Sequence, residues 1–208
     1  MTAAWGGGMV QEGCGPGGGR KAGRTMPVKS VFKWRGWLVS LPVVIAFLCL
    51  RGEFEHDTVT WAIGGPVFLA AVAVRIWAQC HLGYRLKTHK ILTVTGPYHY
   101  SRNPIYLANT AMIAALVWLV ELPWLVAPTV IWCALVYWAV VRYEEKRLLA
   151  NFGERYRRYT QRVPRWFGWR RAPADDSVRT RRYLGAAFCA EAHCLLFLFL
   201  PVVKELLA

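Results

Sequence analysis

Acid is scarce in this chain. Twelve Asp and Glu stand against twenty-six Lys and Arg, giving a formal net charge of +14 over 208 residues. Such an excess suits nucleic acid or an anionic surface, and the placement of the bases decides between them. Paired cysteines are missing as well. Cys14, Cys49, Cys80, Cys133, Cys189 and Cys194 form no CxxC pair, and most fall inside or beside apolar runs. That excludes a cysteine-pair zinc motif and a disulfide framework, and leaves small buried apolar side chains. His81, His89 and His99, spaced by eight and ten residues, match no ligand pattern, so no metal is expected there. No internal repeat is visible, which excludes a solenoid. Residues 1–27, with GGG, GPGGG and scattered bases, hold no apolar run of signal-peptide length. They are expected to form a disordered arm, with Met26 as an alternative start.

Long apolar runs, by contrast, are abundant. Hydrophobic residues make up 55% of the chain, mean hydropathy is +0.26, and there are eleven tryptophans. Five segments are expected to cross a bilayer: Gly36–Leu50, Thr58–Cys80, Pro104–Val120, Leu122–Val141 and Tyr183–Val203. A span needs about 30 Å of helix at about 1.5 Å per residue, so the first requires Lys33 and Arg35 to snorkel and the second requires Arg75 to do so. The expected fold is therefore an all-α polytopic membrane domain over residues 28–208, with a helical hairpin at its centre.

Charge alternates in register with these spans. The N-terminal arm is basic and Arg51–Asp57 is net acidic. Arg75–Asn103 carries five bases and no acid, Glu121 marks a turn, and Arg142–Arg182 carries thirteen bases against five acids. The positive-inside rule then predicts a cytoplasmic N-terminus and an outward C-terminus. Bases that flank spans face anionic headgroups, so membrane lipid is the expected partner and nucleic acid is not.

The turn Glu121-Leu122-Pro123 forces the third and fourth spans to lie antiparallel. Two polar clusters should thereby meet at the cytoplasmic face, one over Lys90–Tyr106 and one over Arg142–Arg147. Gly96-Pro97 signals a turn, and Pro104 suits the first turn of a helix. Glu144 and Glu145 lie about 100° apart on a helix, so one can face the bundle while the other pairs with a base. The plain reading is a solvated, ion-paired helix end. The fourth helix is expected to run to Phe152, with Gly153 closing it. Glu154–Arg162 reads as a short helix with Tyr156 and Tyr159 on one face, resting at the membrane interface as a lid.

The stretches GPYHYSRNPIYLAN and YEEKRLLANFGERYRRYTQRVPRW resemble the Gly-x-Tyr-x-x-x-Arg-His-Pro-x-Tyr and Glu-Glu…Phe-Gly-x-x-Tyr-x-x-Tyr…Val-Pro-Arg signatures of the isoprenylcysteine carboxyl methyltransferase family. Related signatures occur in phospholipid methyltransferases and, more loosely, in membrane sterol reductases. The likeness spans Lys90 to Trp166. It implies an integral membrane methyltransferase that uses S-adenosylmethionine, with a cytoplasmic cofactor pocket and a lipophilic small-molecule or lipidated acceptor. Carried over by position, it implies cofactor contacts at Lys90, Ile91, Leu92, Thr93, Tyr98, Asn103, Pro104, Ile105, Tyr106 and Glu144. Glu144 would take the methionine ammonium, and Tyr98 or Tyr106 would face the sulfonium. Arg102 would meet the cofactor carboxylate or clamp the loop to the glutamates, and Glu145 or Tyr106 would take a proton from an amine acceptor. Arg142 is the candidate for substrate binding.

This chain departs from the pattern at two positions. Asn103 stands where the family has histidine, and Val140 stands where the prenylcysteine enzymes have a substrate-binding arginine, so the likeness reaches the cofactor further than the acceptor. The final span, with Glu191 and His193, is additional to the family's usual layout. Those two side chains are expected to make a polar contact inside the bundle or to reach the acceptor. Two rivals make different demands: a sterol-type reductase would use a nicotinamide cofactor, and a non-catalytic lipid-binding subunit would not need Asn103 or Glu144.

Overall fold

The computed structural model describes residues 26–49, 57–88, 92–168 and 184–207. The expected arm lies outside the described residues, except Met26 and Pro27, which open α1 (Met26–Leu48). Next come α2 (Asp57–Thr88), a 3-10 turn over Gly96–His99, α3 (Pro104–Leu119), α4 (Pro123–Phe152) and α5 (Glu154–Arg162). The chain ends with α6 (Leu184–Glu191), a 3-10 segment over Ala192–Leu198 and α7 (Phe199–Leu207). There is no strand among the described residues.

Among the described residues, three helical stretches are long and apolar enough to cross a membrane: Thr58–Leu82, Pro123–Phe152 and Leu184–Lys204. The third of these is interrupted by 3-10 geometry where a continuous helix was expected. The third expected span, α3, has 16 residues and so reaches only about 24 Å. A further difference concerns the segment after the second span. The helix continues through His81 to Thr88 instead of ending at Cys80, which shortens the expected connector.

Pro104 occupies the first turn of α3, where its missing N–H costs nothing, and Gly153 ends α4 at φ 50° and ψ −123°. Between α3 and α4 the chain turns through Glu121 at φ 65°, a left-handed conformation unusual for a side chain of its size. Two side chains help to hold the turn. Leu122 is fully buried, and Lys204 Nζ from α7 donates to Val120 O at 3.0 Å, satisfying a carbonyl at the end of α3.

Packing follows from this hairpin. Phe68, Ala71 and Val72 of α2 meet Met112, Ala115 and Leu116 of α3 together with Cys194, while Val39 of α1 packs on Ile113, Cys133, Val136, Tyr137 and Val140. Gly64 lets α2 approach α3 closely, since a Cβ there would sit 2.7 Å from the Leu119 side chain. The outer surface keeps Trp37, Ile131, Leu135, Trp138, Leu196 and Phe199 exposed, as suits helices facing hydrocarbon.

Candidate functional site

The antiparallel hairpin brings the start of α3 beside the polar end of α4. Tyr106 donates its hydroxyl to Glu144 Oε1 at 2.7 Å, and its ring lies 4.7 Å from that of Tyr137, tilted by 34°. One turn before Glu144, Val140 is fully buried and gives the pair an apolar floor. Glu145, one residue on, faces the other way. Its carboxylate pairs with Arg102 at 3.0 Å and takes a two-point interaction from Arg165 at 3.0 and 2.6 Å. The two glutamates thus divide as the rotation between adjacent helical positions requires: one toward α3, one toward the loop.

Backbone bonds lock that loop. Arg102 N donates to Pro164 O at 3.1 Å, Asn103 Nδ2 to Arg165 O at 2.9 Å, and Asn103 N to Ser101 Oγ at 3.1 Å. Tyr159 of α5 donates its hydroxyl to Tyr98 O at 2.7 Å, and Tyr156, Tyr159, Leu92 and Val163 form a small buried cluster. Burial pushes the phenols of Tyr98, Tyr156 and Tyr159 above their usual range, so they remain neutral. The hydrogen bonds from Arg165 to Glu145 raise the guanidinium's already high pKa and keep it charged. Beneath the loop, His81 Nδ1 lies 3.0 Å from Thr95 Oγ1 and its ring packs under Gly96 at φ 63°.

Of the residues singled out in the sequence, Lys90 and Ile91 lie outside the described residues. Leu92 and Thr93 are buried, Leu92 under α5. Tyr98, Arg102, Asn103, Pro104, Ile105, Tyr106, Glu144 and Glu145 gather around the meeting of α3, α4 and the loop. Arg142 does not join them: it is exposed, with its guanidinium 4.6 Å above the Trp138 ring. Sequence reasoning passed over Arg165 and Tyr137. The Val-Pro-Arg motif was a signal for the first, and nothing in the pattern marked the second.

A second polar cluster sits deeper. Arg75 was expected to snorkel; instead it turns into the bundle, where Nε meets Glu191 Oε2 and a terminal nitrogen meets Asn109 Oδ1. Gln79 Nε2 donates to Glu191 Oε1 at 3.0 Å. A charge within a span that finds an opposite charge and amide partners has no need to reach the interface. The expected contact of Glu191 inside the bundle is thus seen, while His193 stays exposed.

The fold is that of an integral membrane helical bundle, and its site joins a helix-entry Asn-Pro-x-Tyr to a Glu-Glu helix end. Residues 59–155 match the family model for phospholipid methyltransferases, within the membrane methyltransferase group that the two motifs resemble. The chain is 31% identical over 137 residues to the nickel-cobalt-cadmium resistance protein NccN of Alcaligenes xylosoxydans xylosoxydans, covering 63% of this chain and 62% of that protein. It is 33% identical over 139 residues to the cobalt-zinc-cadmium resistance protein CzcN of Cupriavidus metallidurans, covering 63% and 61%. The chain therefore spans just under two thirds of the length of these curated relatives. No solved structure matches it.

Proposed function

We propose that this chain is an S-adenosylmethionine-dependent methyltransferase acting on a lipophilic acceptor at the membrane, with five spans, a cytoplasmic N-terminus and a cytoplasmic cofactor site. The observation that carries this reading is the Tyr106–Glu144 hydrogen bond, formed where the two motifs meet inside a segment matching a methyltransferase family. The residues fit a cofactor that ends in an amino acid. Glu144 uses one carboxylate oxygen on Tyr106 and keeps the other for an ammonium. Arg102 Nε is a buried donor with no hydrogen-bond partner among the described residues, suited to a carboxylate.

S-Adenosylmethionine supplies an electrophilic methyl, whose bond to sulfur breaks as the bond to the acceptor forms, leaving a neutral thioether. The chain's own residues provide position and dryness. Tyr106, held by Glu144 and backed by Tyr137, presents an aromatic face that attracts a sulfonium by about 0.5–2 kcal/mol. Glu145, Arg102 and Arg165 hold the loop in place, and α5 covers it, excluding water and fixing the approach of the reactants. A carboxylate acceptor arrives deprotonated and needs no base. An amine must lose a proton, for which the Glu144–Tyr106 pair is the nearest relay.

Val140 favours a phospholipid amine over a prenylcysteine carboxylate, since an arginine at that position is what the prenylcysteine enzymes use. The family match points the same way. The relatives' names place them in metal resistance, and we extend that setting to this chain, with a membrane component as the acceptor.

The test is calorimetric binding of S-adenosylmethionine and of S-adenosylhomocysteine to the full chain in detergent, with Glu144→Gln alongside. Saturable binding, weakened at least about tenfold by the substitution, is expected for loss of a charge-assisted bond worth roughly 1.5–3 kcal/mol. Absence of binding by protein with a cooperative melting transition overturns the reading in favour of a reductase or a lipid-binding subunit.

A further inference from the structure

Glu191, His193 and Cys194 present a carboxylate, an imidazole and a thiol whose ligand atoms all lie within 4.8 Å of one another. Cys194 Sγ is 3.4 Å from Glu191 Oε2 and 3.8 Å from His193 Nε2. Around a tetrahedral cation with a metal–sulfur distance of about 2.3 Å and metal–nitrogen or metal–oxygen distances of about 2.0–2.1 Å, such edges come to roughly 3.5 Å. The two edges that run through sulfur already match that figure, and the third, between carboxylate and imidazole, is no longer than 4.8 Å.

Backbone geometry is the cause. α6 ends at Glu191 and the chain tightens into 3-10 geometry over Ala192–Leu198. At about three residues per turn, positions i and i+3 eclipse, which stacks Cys194 on Glu191. The carboxylate and the imidazole are each costly in a span, and gathering both beside a thiol calls for a reason beyond packing. Arg75 and Gln79 account for the carboxylate but leave the imidazole without a role.

We propose that Glu191, His193 and Cys194 form a site for a borderline divalent cation of the zinc or cobalt kind, with water or an outside ligand in the fourth position. Mixed sulfur, nitrogen and oxygen donors in a tetrahedral arrangement favour such ions over magnesium or calcium. On binding, the Cys194 thiol loses its proton to solvent and sulfur donates to the metal. The thiolate answers one of the cation's two charges and the carboxylate is shared, Oε2 facing both the cation and Arg75 while Gln79 keeps Oε1. His193, exposed where the other two ligands are buried, is the outermost of the three.

The site is independent of methyl transfer and is read without any activity. The full chain in detergent micelles is titrated with Co2+, following the visible absorption of tetrahedral cobalt and the thiolate-to-cobalt band in the near ultraviolet, and Zn2+ is then added in competition. A saturable spectrum is expected that Zn2+ displaces. Cys194→Ser should abolish the charge-transfer band, and His193→Ala should weaken binding at least about tenfold, no less than loss of an outer-shell partner costs. Because His193 is exposed, its replacement leaves the fold intact even if Cys194→Ser does not. No cobalt spectrum from the folded wild-type chain, or a band that survives Cys194→Ser through one of the other cysteines, overturns the proposal. So does unchanged affinity in His193→Ala, the mark of a lone thiol.

Discussion

The loop clamp around Glu145 and the polar cluster around Arg75 do similar work with different materials. In the clamp, one carboxylate gathers two guanidiniums from a loop and from a segment 20 residues downstream, and much of the holding falls to backbone groups. In the cluster, four side chains from three helices converge, and Arg75 meets Glu191 across 116 residues of sequence. The clamp holds several charged and backbone bonds in parallel, so one can break while the rest remain. The cluster lies within candidate spans, where nothing replaces a lost partner. Redundancy protects the first, and completeness is what the second depends on.

The sharpest way to break this comparison is Arg75→Leu. It strands Glu191 with only Gln79 and the weak Cys194 donor. Removing one member of a buried pair costs about 3–5 kcal/mol, and the lower end is expected because Gln79 remains. Tryptophan fluorescence during thermal unfolding in detergent should show the largest loss of stability among the variants discussed here, and Arg75→Leu with Glu191→Leu should recover much of it. If the single variant melts like wild type, the cluster does not hold the last span to the bundle.

Gly96→Ala probes the clamp's side. The residue sits at φ 63°, and a Cβ there would come within 2.4 Å of the His81 ring. Strain and clash together should cost about 1–3 kcal/mol in the same measurement. His81→Ala on that background removes the clash and leaves only the backbone penalty, so the double variant should regain part of the loss. No regain would mean that the turn is set by φ alone.

What the chain reveals before folding follows the same division. Pro104 opening α3, Gly153 closing α4, Glu121–Pro123 as the hairpin turn and Glu154–Arg162 as a separate helix are local signals, and all are found where the residues place them. The meeting of Tyr106 with Glu144 follows from one further step, the antiparallel hairpin. Arg75 and Asn109 carried no such mark. A basic residue in an apolar run is as compatible with snorkelling as with a buried partner, and only the approach of α6 to α2 selects the second. The cysteines illustrate the limit from the other side. A search for CxxC and for spaced histidines cannot find Glu191 with His193 and Cys194, because the grouping depends on a 3-10 turn inside a stretch whose composition reads as plain helix.

Tyr159→Phe should have the smallest effect, and it sharpens the comparison most cleanly because the ring stays. The phenol gives one hydrogen bond, to Tyr98 O at 2.7 Å, while the ring remains packed with Tyr156, Leu92 and Val163. Loss of such a bond costs about 0.5–1.5 kcal/mol, with the upper half expected because the carbonyl it leaves is shielded by α5. Thermal stability should therefore fall modestly, while amide exchange should quicken locally over Gly96–Ser101, since Tyr159 is what ties that turn to α5. If exchange instead rises equally in α2 and α3, the clamp is coupled to the mid-bundle cluster as one unit. The contrast between a redundant rim and an all-or-none interior would then have to be given up.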